Sequence, residues 1–340
     1  MINLFLILVL TVCGIFFGLA PSALAASSQN AQPVRALHVV LRSLTVADAK
    51  RLVEMARDAG FNTLILDPRD QVRFNNFPGK PLEVAWNRKE FLSVVEYARK
   101  LGLTFVPEIK LLTHQKQLFG DSWPGLMFDK ETYDPRRREV YGLVFPYLDE
   151  IITLLHPAAI HIGHDEVHHA YKVKKNASLS KNMLPAELFY QDVVSIHDYL
   201  KSRGIVTWMW GDMLISRDEL PGMSSHHLNG VSDYGARMRN RLPKDIVICD
   251  WHYADEQLQF PSVDIFLADG FRVLGATFRK LDTMRNFSRY AAQHSAAGMI
   301  ATTWFIPEAK HNKVVNNWAE VTKVVRESGD AFRRDFPDAR

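Results

Sequence analysis

From Arg35 onward, short apolar runs rich in β-branched residues alternate with longer amphipathic segments, and no other feature of the chain restricts its fold as much. Buried runs separated by helical patterns are the mark of βα units on a parallel sheet covered on both faces. Eight strands are predicted, at Ala36–Leu41, Thr63–Asp67, Thr104–Ile109, Ala159–Gly163, Val206–Trp210, Ile246–Asp250, Val273–Thr277 and Met299–Trp304. Apolar spacing of three and four predicts helices at Val46–Ala59, Glu90–Leu101, Val140–Leu155, Leu188–Ser202, Leu281–Ala297 and Val315–Ser328. Gly60, Gly102, Gly204 and Gly298 each follow such a segment and can take the left-handed conformation that closes a helix. No Pro-, Gly- or Ser-rich linker divides the chain. Arg42-Ser43-Leu44-Thr45 after the first strand is not a glycine-rich phosphate turn, which disfavours an open doubly wound sheet. The expected fold is α/β, a single-domain (β/α)8 barrel over residues 26–340.

The first 25 residues are set apart from that domain. Leu4 to Leu19 is almost wholly apolar and leads through Pro21 to Ala23-Leu24-Ala25, a small-x-small cleavage signal. Residues 1–25 therefore read as a signal peptide, or as a membrane anchor if uncleaved, and the protein is expected to be exported to a periplasmic or extracellular location. Membrane contact is expected only if the leader stays on. Of the two cysteines, Cys13 lies in the leader, so Cys249 has no partner for an internal disulfide. With 47% hydrophobic residues and a net charge of +3 spread along the chain, a large apolar core is available and a nucleic-acid partner is not indicated.

Barrel enzymes carry their chemistry on the loops at the carboxyl ends of the strands. Those positions hold Asp67, Arg69 and Asp70 after strand two, Glu108 and His114 after three, His164 to His169 after four, and Trp210 and Asp212 after five. Asp250, Trp251 and Tyr253 follow strand six, Thr277 and Phe278 strand seven, and Trp304 ends strand eight. Asp165 and Glu166 stand next to each other at the end of strand four, and a barrel mouth can push the affinities of two such carboxylates for protons apart. Successive strand residues point to opposite faces, so both reach one ligand only if the chain leaves strand geometry, which Gly163 permits. Tryptophans at 208, 210, 251 and 304 line up with other strand ends, and aromatic walls suit the apolar faces of sugar rings. Glu108 and His114 allow two readings, a hydrogen-bonded pair bracing the barrel top or support for the catalytic groups.

The segment His161-Ile162-Gly163-His164-Asp165-Glu166-Val167 matches a His-x-Gly-x-Asp-Glu pattern, and in it the chain resembles glycoside hydrolase family 20, the β-N-acetylhexosaminidases. Arg35-Ala36-Leu37-His38 is similar to the family's first-strand Arg-Gly segment. Val106-Pro107-Glu108-Ile109 with His114 is similar to its Pro-Glu-Ile…Gly-His stretch. Trp210-Gly211-Asp212-Met213, Asp250-Trp251 and Thr303-Trp304 fall where the family places pocket aromatics and acids. The resemblance spans most of residues 35–310. It implies an exo-acting, retaining, substrate-assisted hydrolase without cofactor or metal, acting on an oligosaccharide or glycoconjugate, in which the 2-acetamido oxygen of the sugar attacks the anomeric carbon. On matching positions, Asp165 orients the acetamido group and Glu166 protonates the leaving oxygen and later activates water. Arg35 is expected to hold sugar hydroxyls and Trp251 and Trp304 to form walls, with His114, Trp210, Asp212 and Tyr253 completing the binding set.

The chain departs from the family at four places. Ala36 replaces a glycine, Lys110 replaces the acid after Pro-Glu-Ile, and the final Trp-x-Glu is absent although Glu308 lies nearby. Phe278 stands where the strand-seven tyrosine is expected, with Tyr253 as the candidate substitute. Two other readings follow from the residues: a carbohydrate-binding barrel without turnover, and a metal-dependent hydrolase built on His161, His164 and His168.

Overall fold

The computed structural model describes residues 32–115, 118–167, 183–216, 218–223, 234–304 and 317–338, and Pro33–Asp338 forms one compact unit. The expected leader lies outside the described residues. Eight strands, β1 (Val34–Val40), β2 (Thr63–Asp67), β3 (Thr104–Leu111), β4 (Ala159–Gly163), β5 (Val206–Trp210), β6 (Val247–Trp251), β7 (Arg272–Thr277) and β8 (Gly298–Thr303), pair in parallel in chain order. β8 returns to β1, with Val34 opposite Gly298 and Val39 opposite Thr303, and the sheet is a closed barrel. This is the (β/α)8 architecture that the alternating pattern predicts.

The described helices are α1 (Val46–Ala59), α2 (Arg88–Lys100), α3 (Arg138–Leu155), α4 (Ala186–Lys201), α5 (Tyr234–Arg239), α6 (Pro261–Ala268), α7 (Leu281–Gln293) and α8 (Trp318–Asp335). Local chemistry sets their ends. α1 starts at a capping box in which Thr45 and Asp48 exchange side-chain and backbone bonds, and it ends at Gly60, whose φ of 84° suits a residue without Cβ. α8 packs against α1 and α7, so the last helix seals the ring beside the first. Short α5 and α6 were not foreseen; six or eight residues are too few for a helical period to stand out. α7 stops short of the expected Ala297. Gly298 instead opens β8, where a Cβ would lie 1.9 Å from the Val34 carbonyl oxygen, so a glycine is needed for β8 to meet β1.

A buried ionic cluster fastens the carboxyl end of β6. The His252 ring meets Asp255 at 2.8 Å and Ser262 Oγ at 2.8 Å, and Ser262 donates to Asp250 at 2.6 Å. Burial alone would depress the His252 pKa, but Asp250 and Asp255 outweigh it and hold the ring up at about 9. Because this folded-state value exceeds the unfolded one of about 6.5, His252 stabilises the fold fully below pH 6.5 and progressively less as pH rises to 9. A shift of that size corresponds to stabilisation on the order of 3 kcal/mol. In melting curves across pH 6 to 10, wild type should lose more stability than His252→Gln; parallel curves would remove His252 as the cause.

Candidate active site

The barrel interior changes character along its axis. Its lower part is apolar, filled by residues such as Ala36, Ile65, Val106, Trp208 and Val247. Toward the carboxyl ends the inward positions become His38, Asp67, Glu108, Lys110 and His161, all buried. Glu108 is the hub of this layer: it bonds the His38 ring, accepts from Trp210 Nε1 at 3.1 Å and faces Lys110 Nζ at 3.0 Å. Burial would raise its pKa, but Lys110 and then His38 outweigh burial and hold the carboxyl well below the usual range. His161, pressed down to about 4 by burial, is neutral; its Nδ1 accepts the Gly163 N–H at 3.1 Å and its ring lies 4.4 Å from that of Trp210.

Above this floor β4 ends in an unusual backbone. Gly163, His164 and Glu166 have φ of 75°, 66° and 51°, a left-handed region costly for the two residues that carry Cβ. The twist breaks the alternation that would have sent Asp165 and Glu166 to opposite faces. Two carboxylates from neighbouring elements hold it. Asp192 on α4 meets the His164 ring at 2.9 Å and accepts from the Tyr133 and Tyr141 hydroxyls at 2.8 and 2.7 Å. Asp212, in the turn after β5, accepts the Glu166 N–H at 2.8 Å.

A buried cation polarises the pair. Lys110 Nζ donates to both oxygens of Asp165 at 3.3 Å and stands 4.8 Å from the Trp304 ring centroid. β3 carries one extra residue against β4 between Glu108 and Leu111, a bulge of the kind that re-aims a side chain beside an active site. Burial would raise the pKa of Asp165, but Lys110 and His114 outweigh it and hold Asp165 as a carboxylate far into acid. His114 Nε2 lies 3.3 Å from Asp165 and 3.6 Å from Glu166, and the two acids offer oxygens within 4.8 Å of each other. Side-chain exposure separates them by depth: 12% for Asp165 and 29% for Glu166, which sits nearer the mouth.

These groups open into a cavity of about 230 Å³ lined by Arg69, Lys110, His114, Asp165, Glu166, Trp210, Trp251, Tyr253 and Trp304. That is below the roughly 300–1,000 Å³ of clefts for drug-sized ligands and suits a single sugar ring. Its aromatic side is one connected wall: Trp251 and Tyr253 lie 4.7 Å apart, and Trp304 Nε1 donates to the Tyr253 hydroxyl at 2.7 Å. Phe278 packs on Tyr253 with 5.8 Å between centroids.

Of the expected site residues, the structure thus gathers Asp165, Glu166, His114, Trp210, Trp251, Tyr253 and Trp304 at one cavity. Arg35 requires a correction. It lies at the amino end of β1, where its guanidinium donates to the Gly60 and Phe336 carbonyls and pairs with Asp338, on the opposite side of the barrel. Arg69, paired with Asp67 at 2.7 Å, is the arginine that lines the cavity. Asp212 stands behind the lining, with Trp251 Nε1 donating to its other oxygen at 3.3 Å. Glu108 and His114 are not a pair, since one belongs to the floor and the other to the acids. Trp208 fills the barrel core.

The histidines expected to cluster diverge: His161 points into the barrel and His164 outward to Asp192, while His168 and Glu308 lie outside the described residues. Two trios among the described residues bring ligand-type atoms within 4.8 Å, His38/Asp67/Glu108 and His114/Asp165/Glu166. Arg69 stands against Asp67, and Lys110 against Glu108 and Asp165, so a carboxylate of each trio is already paired with a cationic side chain. Lys110 is the residue that sequence reasoning under-read. Its signal was the period of two on β3, which puts Val106, Glu108 and Lys110 on one face.

A family model, the catalytic domain of glycosyl hydrolase family 20, matches residues 54–323. The fold is similar to that of a chitobiase from Flavobacterium johnsoniae, at 15% identity over 90% of this chain and 52% of that one, with a TM-score of 0.58. It is also similar to a β-N-acetylhexosaminidase from Bacteroides fragilis, at 16% identity over 87% of this chain and 65% of that one, with a TM-score of 0.62. An exo-β-N-acetylglucosaminidase from Vibrio harveyi, solved with N-acetylglucosamine, matches at 16% identity over 89% and 56%, with a TM-score of 0.60. The chain therefore spans between about half and two thirds of the length of these proteins, and at such identities the likeness is one of fold. No curated protein matches by sequence.

Proposed function

The chain belongs to glycosyl hydrolase family 20, and from that premise we propose that it is an exo-acting β-N-acetylhexosaminidase that removes a terminal β-linked N-acetylhexosamine with retention. The observation that carries the proposal is the division of the paired acids: Asp165 is locked as a carboxylate deep in a single-sugar aromatic cavity, and Glu166 sits beside it nearer the mouth.

In the proposed mechanism Asp165 accepts the acetamido N–H, which aims the acetamido oxygen at the anomeric carbon. The C1–O bond to that oxygen forms as the glycosidic bond breaks, and Glu166 gives its proton to the departing oxygen. Asp165, kept negative by Lys110 and His114, stabilises the positive charge that spreads over the resulting ring. Glu166 then takes a proton from water, which attacks C1 and restores the acetamido group. Tyr253, reaching the cavity from the end of β6, is the proposed substitute for the strand-seven tyrosine, and Trp210, Trp251 and Trp304 pack the sugar.

Turnover of aryl β-N-acetylglucosaminide, with aryl β-glucoside not hydrolysed, is the expected result, because only the first carries the nucleophile. Equal turnover of both would overturn the substrate-assisted mechanism, and calorimetric binding of N-acetylglucosamine without any turnover would favour a lectin-like barrel. We also propose export, on the apolar run 4–19 and Ala23-Leu24-Ala25; recovery of exported protein beginning at Ala26 would support it, and cytoplasmic retention would contradict it. No helix of the described residues is long and apolar enough to cross a membrane.

A further inference from the structure

Asp212 lies behind the cavity wall, and its two oxygens serve two walls of the site. Oδ2 accepts the backbone N–H of Glu166 at 2.8 Å, and Oδ1 accepts the indole N–H of Trp251 at 3.3 Å. The first bond falls on a residue with φ of 51°, so it restrains a backbone that would gain by relaxing. Its own anchor is firm. Gly211, just before it, is packed so closely that a Cβ would lie 2.9 Å from Ile248 Cγ2 and 3.1 Å from the Phe266 ring. The Gly211 N–H donates to the Cys249 carbonyl on β6 at 3.0 Å, and the Gly211 carbonyl accepts from Leu214 at 2.9 Å.

We propose that Asp212 is a positioning residue for glycosidic cleavage, tying the backbone of Glu166 and the indole of Trp251 into one unit so that the acid stands at a set place relative to the wall that holds the sugar. The inference rests on Glu166 as the acid in the proposed function. Charge is compatible with the arrangement. The charged groups facing Asp212 are Asp165 and Glu166 on the β4 end; burial and then Asp165 push its carboxyl up to about 8, which favours the neutral form and reduces repulsion beside them.

Leaving-group dependence separates this role from a merely structural one. A misplaced acid harms substrates whose leaving oxygen must be protonated and spares those that depart as stable anions. The experiment compares wild type, Asp212→Ala and Asp212→Asn on methyl and 2,4-dinitrophenyl β-N-acetylglucosaminides, with a melting curve for each protein. For Asp212→Ala the expected loss of kcat is about 100-fold on the methyl glycoside and less than about 10-fold on the dinitrophenyl one. Asp212→Asn keeps one acceptor for the Glu166 N–H and should show the same split, reduced; it carries the test if the alanine variant fails to fold. Equal losses on both substrates in the folded variant, or no loss on either, overturns the proposal. A wild type that hydrolyses neither substrate overturns the reading of the site itself and this inference with it.

Discussion

Glu166→Gln should lower kcat on a β-N-acetylglucosaminide with a poor leaving group by about 10²–10⁴-fold, the usual contribution of a positioned general acid. The side chain lines the cavity near its mouth, and an amide of the same shape leaves packing intact while removing the transferable proton. The backbone N–H bond of this residue to Asp212 is one that glutamine keeps. The loss should therefore appear in kcat, with the melting temperature unchanged. A variant as active as wild type would remove Glu166 from the acid role.

Lys110→Met should produce the largest change in stability. Lys110 is buried and faces Glu108 at 3.0 Å and Asp165 at 3.3 Å, so its removal leaves two carboxylates inside the barrel without their cation. Breaking a buried pair by deleting one partner costs about 3–5 kcal/mol, mostly because the remaining charge is stranded. Urea denaturation should show that drop, and Glu108→Gln in the Lys110→Met background should recover part of it. The substitution also has a signature in activity. Lys110 is the first of the charges that hold Asp165 ionised, so without it the Asp165 pKa rises and the acid limb of kcat/KM moves to higher pH. Unchanged stability together with an unchanged acid limb would mean that Lys110 does not lock Asp165.

Much of this fold was legible because its physics is local. β2, β4 and β5 begin and end where β-branched and aromatic runs predict, and α1 spans the predicted Val46–Ala59 between a capping box and a left-handed glycine. The acids were legible for the same reason, since strand, glycine and two carboxylates are contiguous. Arg35 shows where a linear pattern misleads. It resembles a family segment, yet it starts β1, and five residues at about 3.3 Å each put it roughly 16 Å from the strand end that faces the cavity.

Lys110 and Asp212 were hidden differently. Lys110 reads as a departure from a pattern until the barrel closes and brings β4 beside β3, when it becomes the counter-charge of both Glu108 and Asp165. Asp212 reads as a pocket acid until the turn after β5 shows its oxygens taken by Glu166 and Trp251. Such roles depend on contacts between distant elements, 55 residues apart for Lys110 and Asp165 and 46 for Glu166 and Asp212. No local spacing encodes them.

Whether Asp165 and Glu166 direct attack by the acetamido group of the substrate is decided by the inhibition constant of a thiazoline analogue of the cyclic intermediate. Transition-state and intermediate mimics bind about 10²-fold or more tighter than ordinary ligands. Competitive inhibition by the thiazoline at least about 100-fold tighter than by N-acetylglucosamine is expected. A thiazoline that binds no better than N-acetylglucosamine would contradict it.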